Sequence, residues 1–107
     1  MASSEEETMT QWAPVVDVYE TDQALVIQIE VAGLDTRRLQ IEQKQGQLWI
    51  RGERHLPKLA EGGTYERIEI PTGVFECTVP LPSSVRGHPP TFRYQDGILE
   101  VRIPKEA

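Results

Sequence analysis

Short alternations of apolar and polar residues, each closed by turn-forming residues, run through the chain from Trp12 onward, and no other feature limits the possible folds so strongly. A period of two belongs to β-strands that bury one face of a sheet. From Ala24 to Val31, the side chains of Leu25, Ile27, Ile29 and Val31 share one such face, which predicts a half-buried strand. Val16-Asp17-Val18-Tyr19-Glu20 precedes it across a turn at Thr21-Asp22-Gln23. Gly33 ends it, and Asp35-Thr36-Arg37-Arg38 reads as one helical turn started by Asp35 before Leu39-Gln40-Ile41-Glu42 resumes the alternation. Gln45-Gly46 then joins this strand to Gln47-Leu48-Trp49-Ile50-Arg51-Gly52-Glu53 as a hairpin.

Pro57, Gly62 and Gly63 break the spacing over residues 55–64, and a loop of that length in a compact domain usually serves a purpose. Tyr65-Glu66-Arg67-Ile68-Glu69 reads as a short strand beyond it, followed by strands at Val74–Val79, Thr91–Gln95 and Ile98–Ile103. Asp96-Gly97 between the last two is a strong hairpin signal. All eight prolines fall at segment ends or in loops, where a missing N–H breaks no ladder. The result is about eight short strands without a long helix, hence two packed antiparallel sheets in one domain over residues 12–107. Residues 1–11 have almost no apolar content and read as a flexible acidic arm.

A net charge of −6 argues against nucleic-acid binding, which needs Lys and Arg to neutralise phosphates, and it favours solubility. Cys77, the single cysteine, cannot form an internal disulfide. With His55 and His88 it lacks the close ligand pairs of a zinc site, so a buried, inert thiol is expected. Glu5, Glu6 and Glu7 stand where a signal peptide would carry positive charge, and no stretch reaches membrane-spanning length, so the default expectations are a cytoplasmic location and no membrane partner.

From Val15 to Lys105 the order of landmarks resembles the α-crystallin domain of the small heat-shock proteins, particularly their bacterial and plant branch. Val31-Ala32-Gly33-Leu34 is similar to the family's Pro-Gly-Val/Leu turn, and Leu48-Trp49-Ile50-Arg51-Gly52-Glu53-Arg54 to its Leu-x-Ile-x-Gly-Glu-Arg strand. Gly73-Val74-Phe75 and Val79-Pro80-Leu81-Pro82 follow in order. The most specific fragment is Tyr94 to Lys105, which resembles the family signature built around Gly97, Leu99 and Val101. Ile70-Pro71-Thr72-Gly73-Val74-Phe75 departs from the family's Arg-x-Tyr-Gly-x-Phe. A short polar arm, and no Ile-x-Ile tail after Lys105, are further departures, from which a small species rather than a large assembly is expected.

The resemblance implies an immunoglobulin-like β-sandwich, a homodimer formed by exchange of the strand Tyr65, Glu66, Arg67, Ile68 and Glu69, and ATP-independent holding of unfolding client proteins with no cofactor. The absence of a phosphate-binding G-x-x-x-x-G-K-[ST] loop agrees with this. It also implies a client or partner groove at a sheet edge, for which Leu39, Ile41, Phe92 and Tyr94 are the candidates, although core packing accounts for each of them equally well. Packing is the expected role of Leu99 and Val101, and a tight turn that of Gly97. A protein-interaction or co-chaperone adaptor on the same sandwich is the alternative function. Catalysis has little support: there is no Gly-x-Ser-x-Gly elbow, and Glu66 and Glu69, three apart on a strand, point to opposite faces.

Overall fold

The computed structural model describes residues 10–105. Seven strands form two antiparallel sheets: β1 (Val16–Glu20), β2 (Ala24–Glu30), β3 (Gln40–Lys44), β4 (Gln47–Arg54), β5 (Gly73–Pro80), β6 (Thr91–Gln95) and β7 (Ile98–Pro104). One sheet has the order β1-β2-β7-β6 and the other β3-β4-β5. The two faces pack as the sandwich expected from the alternation. The core draws Leu25, Ile27, Ile29, Leu99, Val101 and Ile103 from the first sheet and Leu48, Ile50, Phe75 and Val79 from the second. Each such side chain, fully buried, is worth roughly 1.5–3 kcal/mol relative to exposure.

Two hairpins fix the register. Gln45 and Gly46 have φ of 56° and 74°, and Asp96 and Gly97 have 55° and 78°. Positive φ at both central residues is the requirement of the two-residue turn whose twist matches that of the flanking strands. In the first hairpin Ile41 lies opposite Ile50. In the second Tyr94 lies opposite Leu99 and Phe92 opposite Val101. Asp35 caps the helical turn Thr36–Arg38 by accepting from the N–H of Arg37.

Two expectations need correction. The fold has seven strands, because Tyr65–Glu69 is not in a ladder; every residue from 61 to 70 is exposed. Strand conformation is held by a partner, and this chain folded alone supplies none there. The strand Ala24–Glu30 is also buried more completely than its alternation suggested, with Ala24 and Val26 covered as well as Leu25, Ile27 and Ile29. It lies between β1 and β7, and Tyr19 and Arg102 stand opposite Val26 on its two sides. Long neighbours can close over a small side chain on the outer face.

Candidate binding groove and sheet edges

The two sheets end together on one side of the sandwich, at β3 and β6. Two side-chain bridges show this. The Gln43 amide on β3 accepts from Gly87 N at 2.8 Å and donates to the carbonyl of His88, just before β6. Farther along, the Tyr94 hydroxyl on β6 donates to Val31 O at 2.8 Å and accepts from Leu34 N at 3.2 Å, tying β6 to the turn that leads into β3. Between these ties lie the inward-facing positions of both edge strands.

Leu39, Ile41 and Tyr94 are half-buried and pack against the core, whereas Phe92 is 50% exposed and lies outside that cluster. The structure thus puts the four candidate residues on the inner faces of two edge strands on the same side, three as partial core and one as an open aromatic. Neither β3 nor β6 has a second strand partner among the described residues. Each therefore presents a row of backbone donors and acceptors beside apolar side chains.

The opposite side is built differently. Trp12 forms a parallel bridge with Phe75, its indole N–H donates to Gly73 O at 3.1 Å, and its ring lies 5.3 Å from that of Phe75. The chain then leads into β1, whose free edge carries Val18 and Tyr19, 47% and 44% exposed. Between β4 and β5 the chain makes a long excursion that presents Tyr65, Ile68 and Ile70, all more than half exposed.

Arg54 pins the base of that excursion. It is 8% exposed, donates through Nε to Pro71 O at 3.0 Å and through Nη1 to Ala32 O at 3.2 Å, and stacks 4.2 Å over the Trp12 ring. The guanidinium thus joins the exit of the excursion, the turn after β2 and the segment before β1. Sequence reasoning missed this role, although the signal was present. Leu48, Ile50, Gly52 and Arg54 share one parity on β4 and all face inward. Gly52 is required in that row, since a Cβ there would lie 2.5 Å from the Phe75 ring.

Gly97, Leu99 and Val101 serve structure. Val31 N donates to Gly97 O at 2.9 Å, and Leu99 and Val101 are fully buried. Cys77 faces inward on β5, and burial, with a smaller contribution from the Glu76 charge, pushes its thiol up to about 11, far from a reactive thiolate. His55 lies on the surface, 2.7 Å from the Glu53 carboxylate, and does not approach Cys77. At the surface turn, the hydrogen bond from Arg37 holds the Asp35 carboxyl below its ordinary value. No group of three potential metal-ligating side chains occurs among the described residues, and no helix there is long and apolar enough to cross a membrane.

Comparison with known proteins bears on this arrangement. The profile of the Hsp20/alpha crystallin family matches residues 17–107. The 17.8 kDa class I heat shock protein of Arabidopsis thaliana is 31% identical over 91 residues, covering 84% of this chain and 58% of that protein. Small heat shock protein C2 of Rickettsia felis is 26% identical over 93 residues, covering 87% of this chain and 60% of that protein. The chain therefore spans about 60% of the length of these relatives. Among solved structures, hspA of Xanthomonas axonopodis superposes with a TM-score of 0.78 at 34% identity, covering 91% of this chain and 97% of that one. The small heat-shock protein of Xylella fastidiosa, described as having a distinct high order structure, gives 0.78 at 31% identity, covering 92% and 90%.

Proposed function

The chain belongs to the Hsp20/alpha crystallin family, and on that premise we propose that it is an ATP-independent molecular chaperone that binds exposed apolar segments of unfolding proteins and limits their aggregation. The observation that carries this reading is the open side at β3 and β6, where half-buried Leu39, Ile41 and Tyr94 and half-exposed Phe92 lie beside free backbone edges. Backbone pairing supplies attraction that ignores a client's sequence, and shallow apolar positions accept every second side chain of an extended segment. Such binding is reversible and needs neither a nucleotide nor bond chemistry.

The working unit in this proposal is a homodimer formed by strand exchange. Tyr65–Glu69 of each copy adds to the β1 edge of the other, covering Ile68 with its neighbours and the exposed Val18 and Tyr19. The domain over residues 12–107 acts in the cytoplasm, and residues 1–11 form an arm outside the sandwich.

The test is aggregation of a thermolabile model enzyme, followed by light scattering. The chain is expected to suppress scattering at near-equal stoichiometry, and Phe92→Asp and Ile41→Ser are expected to weaken suppression several-fold while leaving the circular dichroism spectrum intact. Absence of suppression by the unaltered chain, with stable one-to-one capture of a folded protein instead, would replace the holding function by an adaptor function on the same sandwich.

A further inference from the structure

The outer face of the three-stranded sheet carries an open cleft of about 410 Å³ that crosses all three strands, from Val74 on β5 over Arg51 and Glu53 on β4 to Gln40 on β3 and to Arg37 and Arg38 just before it. It lies away from the β3–β6 groove, because Arg51 and Gln40 have the outward parity of their strands. Guanidinium groups dominate its lining. Arg37 and Arg38 have side chains 88% and 64% exposed, and they pair with Asp35 and, for Arg38, with Glu53 at 3.6 Å. Arg51 pairs with Glu76 at 3.2 Å. Among the charged lining residues, three arginines face one glutamate.

The chain enters this cleft from its own N-terminal side. Gln11 N donates to Val74 O at 2.7 Å, and the Gln11 side chain returns the bond by accepting from Val74 N at 2.9 Å. One residue earlier, the Thr10 hydroxyl accepts from Arg51 Nη1 at 3.4 Å. The direction of the backbone is therefore set at the β5 rim, and the residues next upstream are Glu5, Glu6 and Glu7, which account for half of the net charge of −6. An extended chain advances about 3.3–3.6 Å per residue, so Glu7 reaches about 10 Å beyond Thr10. Two strand spacings of about 4.8 Å span the same distance, which carries Glu7 from the β5 rim to the arginines beside β3.

We infer that the acidic segment Glu5–Glu7 docks in cis on the arginine cleft formed by Arg37, Arg38 and Arg51. Carboxylates in this position add acceptors to guanidiniums whose planar forks hold more donors than their present partners use. The tether of a few residues makes the event intramolecular, at an effective concentration in the millimolar range, so that contacts individually weak on a surface act together. The segment covers the outer face of the three-stranded sheet and leaves the β3–β6 groove open. The contact is independent of whether that groove takes clients.

Amide NMR spectra of the full chain test this. Replacing the triplet by Glu5→Gln, Glu6→Gln and Glu7→Gln is expected to shift the amides of Arg38, Gln40, Arg51 and Val74 and to leave those of Leu99 and Val101 in place. Sodium chloride at about 0.5 M, where the screening length is only a few ångströms, is expected to move the same amides in the same direction. The double variant Arg37→Gln, Arg38→Gln is expected to move the Glu7 amide toward its unstructured position. Tenfold dilution should change none of this. Cleft amides that ignore both the triple substitution and the salt would overturn the proposal, and so would shifts that fade on dilution, since the occupant would then be a second copy.

Discussion

The last strand, β7, and the segment from Tyr65 to Ile70 are written in similar residues and end in opposite places. Leu99, Val101 and Ile103 are fully buried, whereas Tyr65, Ile68 and Ile70 are 51%, 70% and 57% exposed. Composition does not separate them; the connection does. β7 follows a two-residue turn that returns the chain onto β6 and also lies against β2, so its register is set twice. The other segment lies on an excursion whose ends are pinned together by Arg54 and Pro71, and no strand of its own chain comes beside it. Alternating apolar residues thus announce a strand without saying whether its partner is in the same molecule.

The sharpest way to break this contrast is to truncate one side chain in each region. Leu99→Ala should cost about 2–5 kcal/mol, the usual range for a cavity left in a packed core. Ile68→Ala should leave the urea midpoint of the dissociated chain unchanged, within about 0.5 kcal/mol, as expected of an exposed position. Equal losses at the two sites would mean that the segment is packed within its own chain.

A second variant acts on the pin. Arg54→Met keeps much of the side-chain volume but removes the donors to Ala32 O and Pro71 O, and hydrogen bonds from a charged donor are worth roughly 1.5–3 kcal/mol. Hydrogen exchange should accelerate at residues 72–74 by more than the global loss explains. Uniform acceleration would mean that Arg54 supports the whole sandwich and not the base of the excursion in particular.

At the turn that β7 depends on, Gly97→Val places a branched side chain at φ 78°, with a Cβ 3.3 Å from that of Ala32. The expected cost is roughly 1–3 kcal/mol, on the scale of backbone strain. An unchanged denaturation midpoint would remove this turn from the account of why β7 finds its place.

The smallest effect belongs to Asp35, which caps the turn before β3. Its pKa is lowered in the folded state, chiefly by the hydrogen bond from Arg37, so its contribution is present above the unfolded carboxylate value and is lost as the pH falls through the folded value. Acid titrations of the parent chain and Asp35→Asn should differ slightly near neutral pH and converge below about pH 3. A gap that persists in strong acid would assign the effect to the side chain's shape and not to its charge.

Much of the architecture was legible in the sequence because it is specified locally. Gln45-Gly46 and Asp96-Gly97 name their turns, Asp35 names its cap, and the parity of Leu48, Ile50, Leu99 and Val101 names the inner faces. What escaped depends on relations between distant segments. Arg54 has the parity of a core residue and the chemistry of a surface one, and only the approach of Ala32, Pro71 and Trp12 resolves the conflict. The burial of Val26 depends on its position between two strands, which alternation within one strand cannot report. At the groove, Phe92 and Tyr94 were equally good as core or as surface. Their different exposures follow from the hydroxyl of Tyr94, which anchors it to Val31 and Leu34.

The contrast between β7 and the excursion rests on one proposition, that the missing partner of Tyr65–Glu69 is the β1 edge of a second copy. Native mass spectrometry at micromolar concentration addresses it directly, comparing the full chain with a variant that lacks residues 58–68 and has the gap closed. Twice the chain mass for the first and a folded species of single mass for the second are the predicted results. A shortened chain that still gave twice its own mass would contradict the account and move the dimer contact elsewhere.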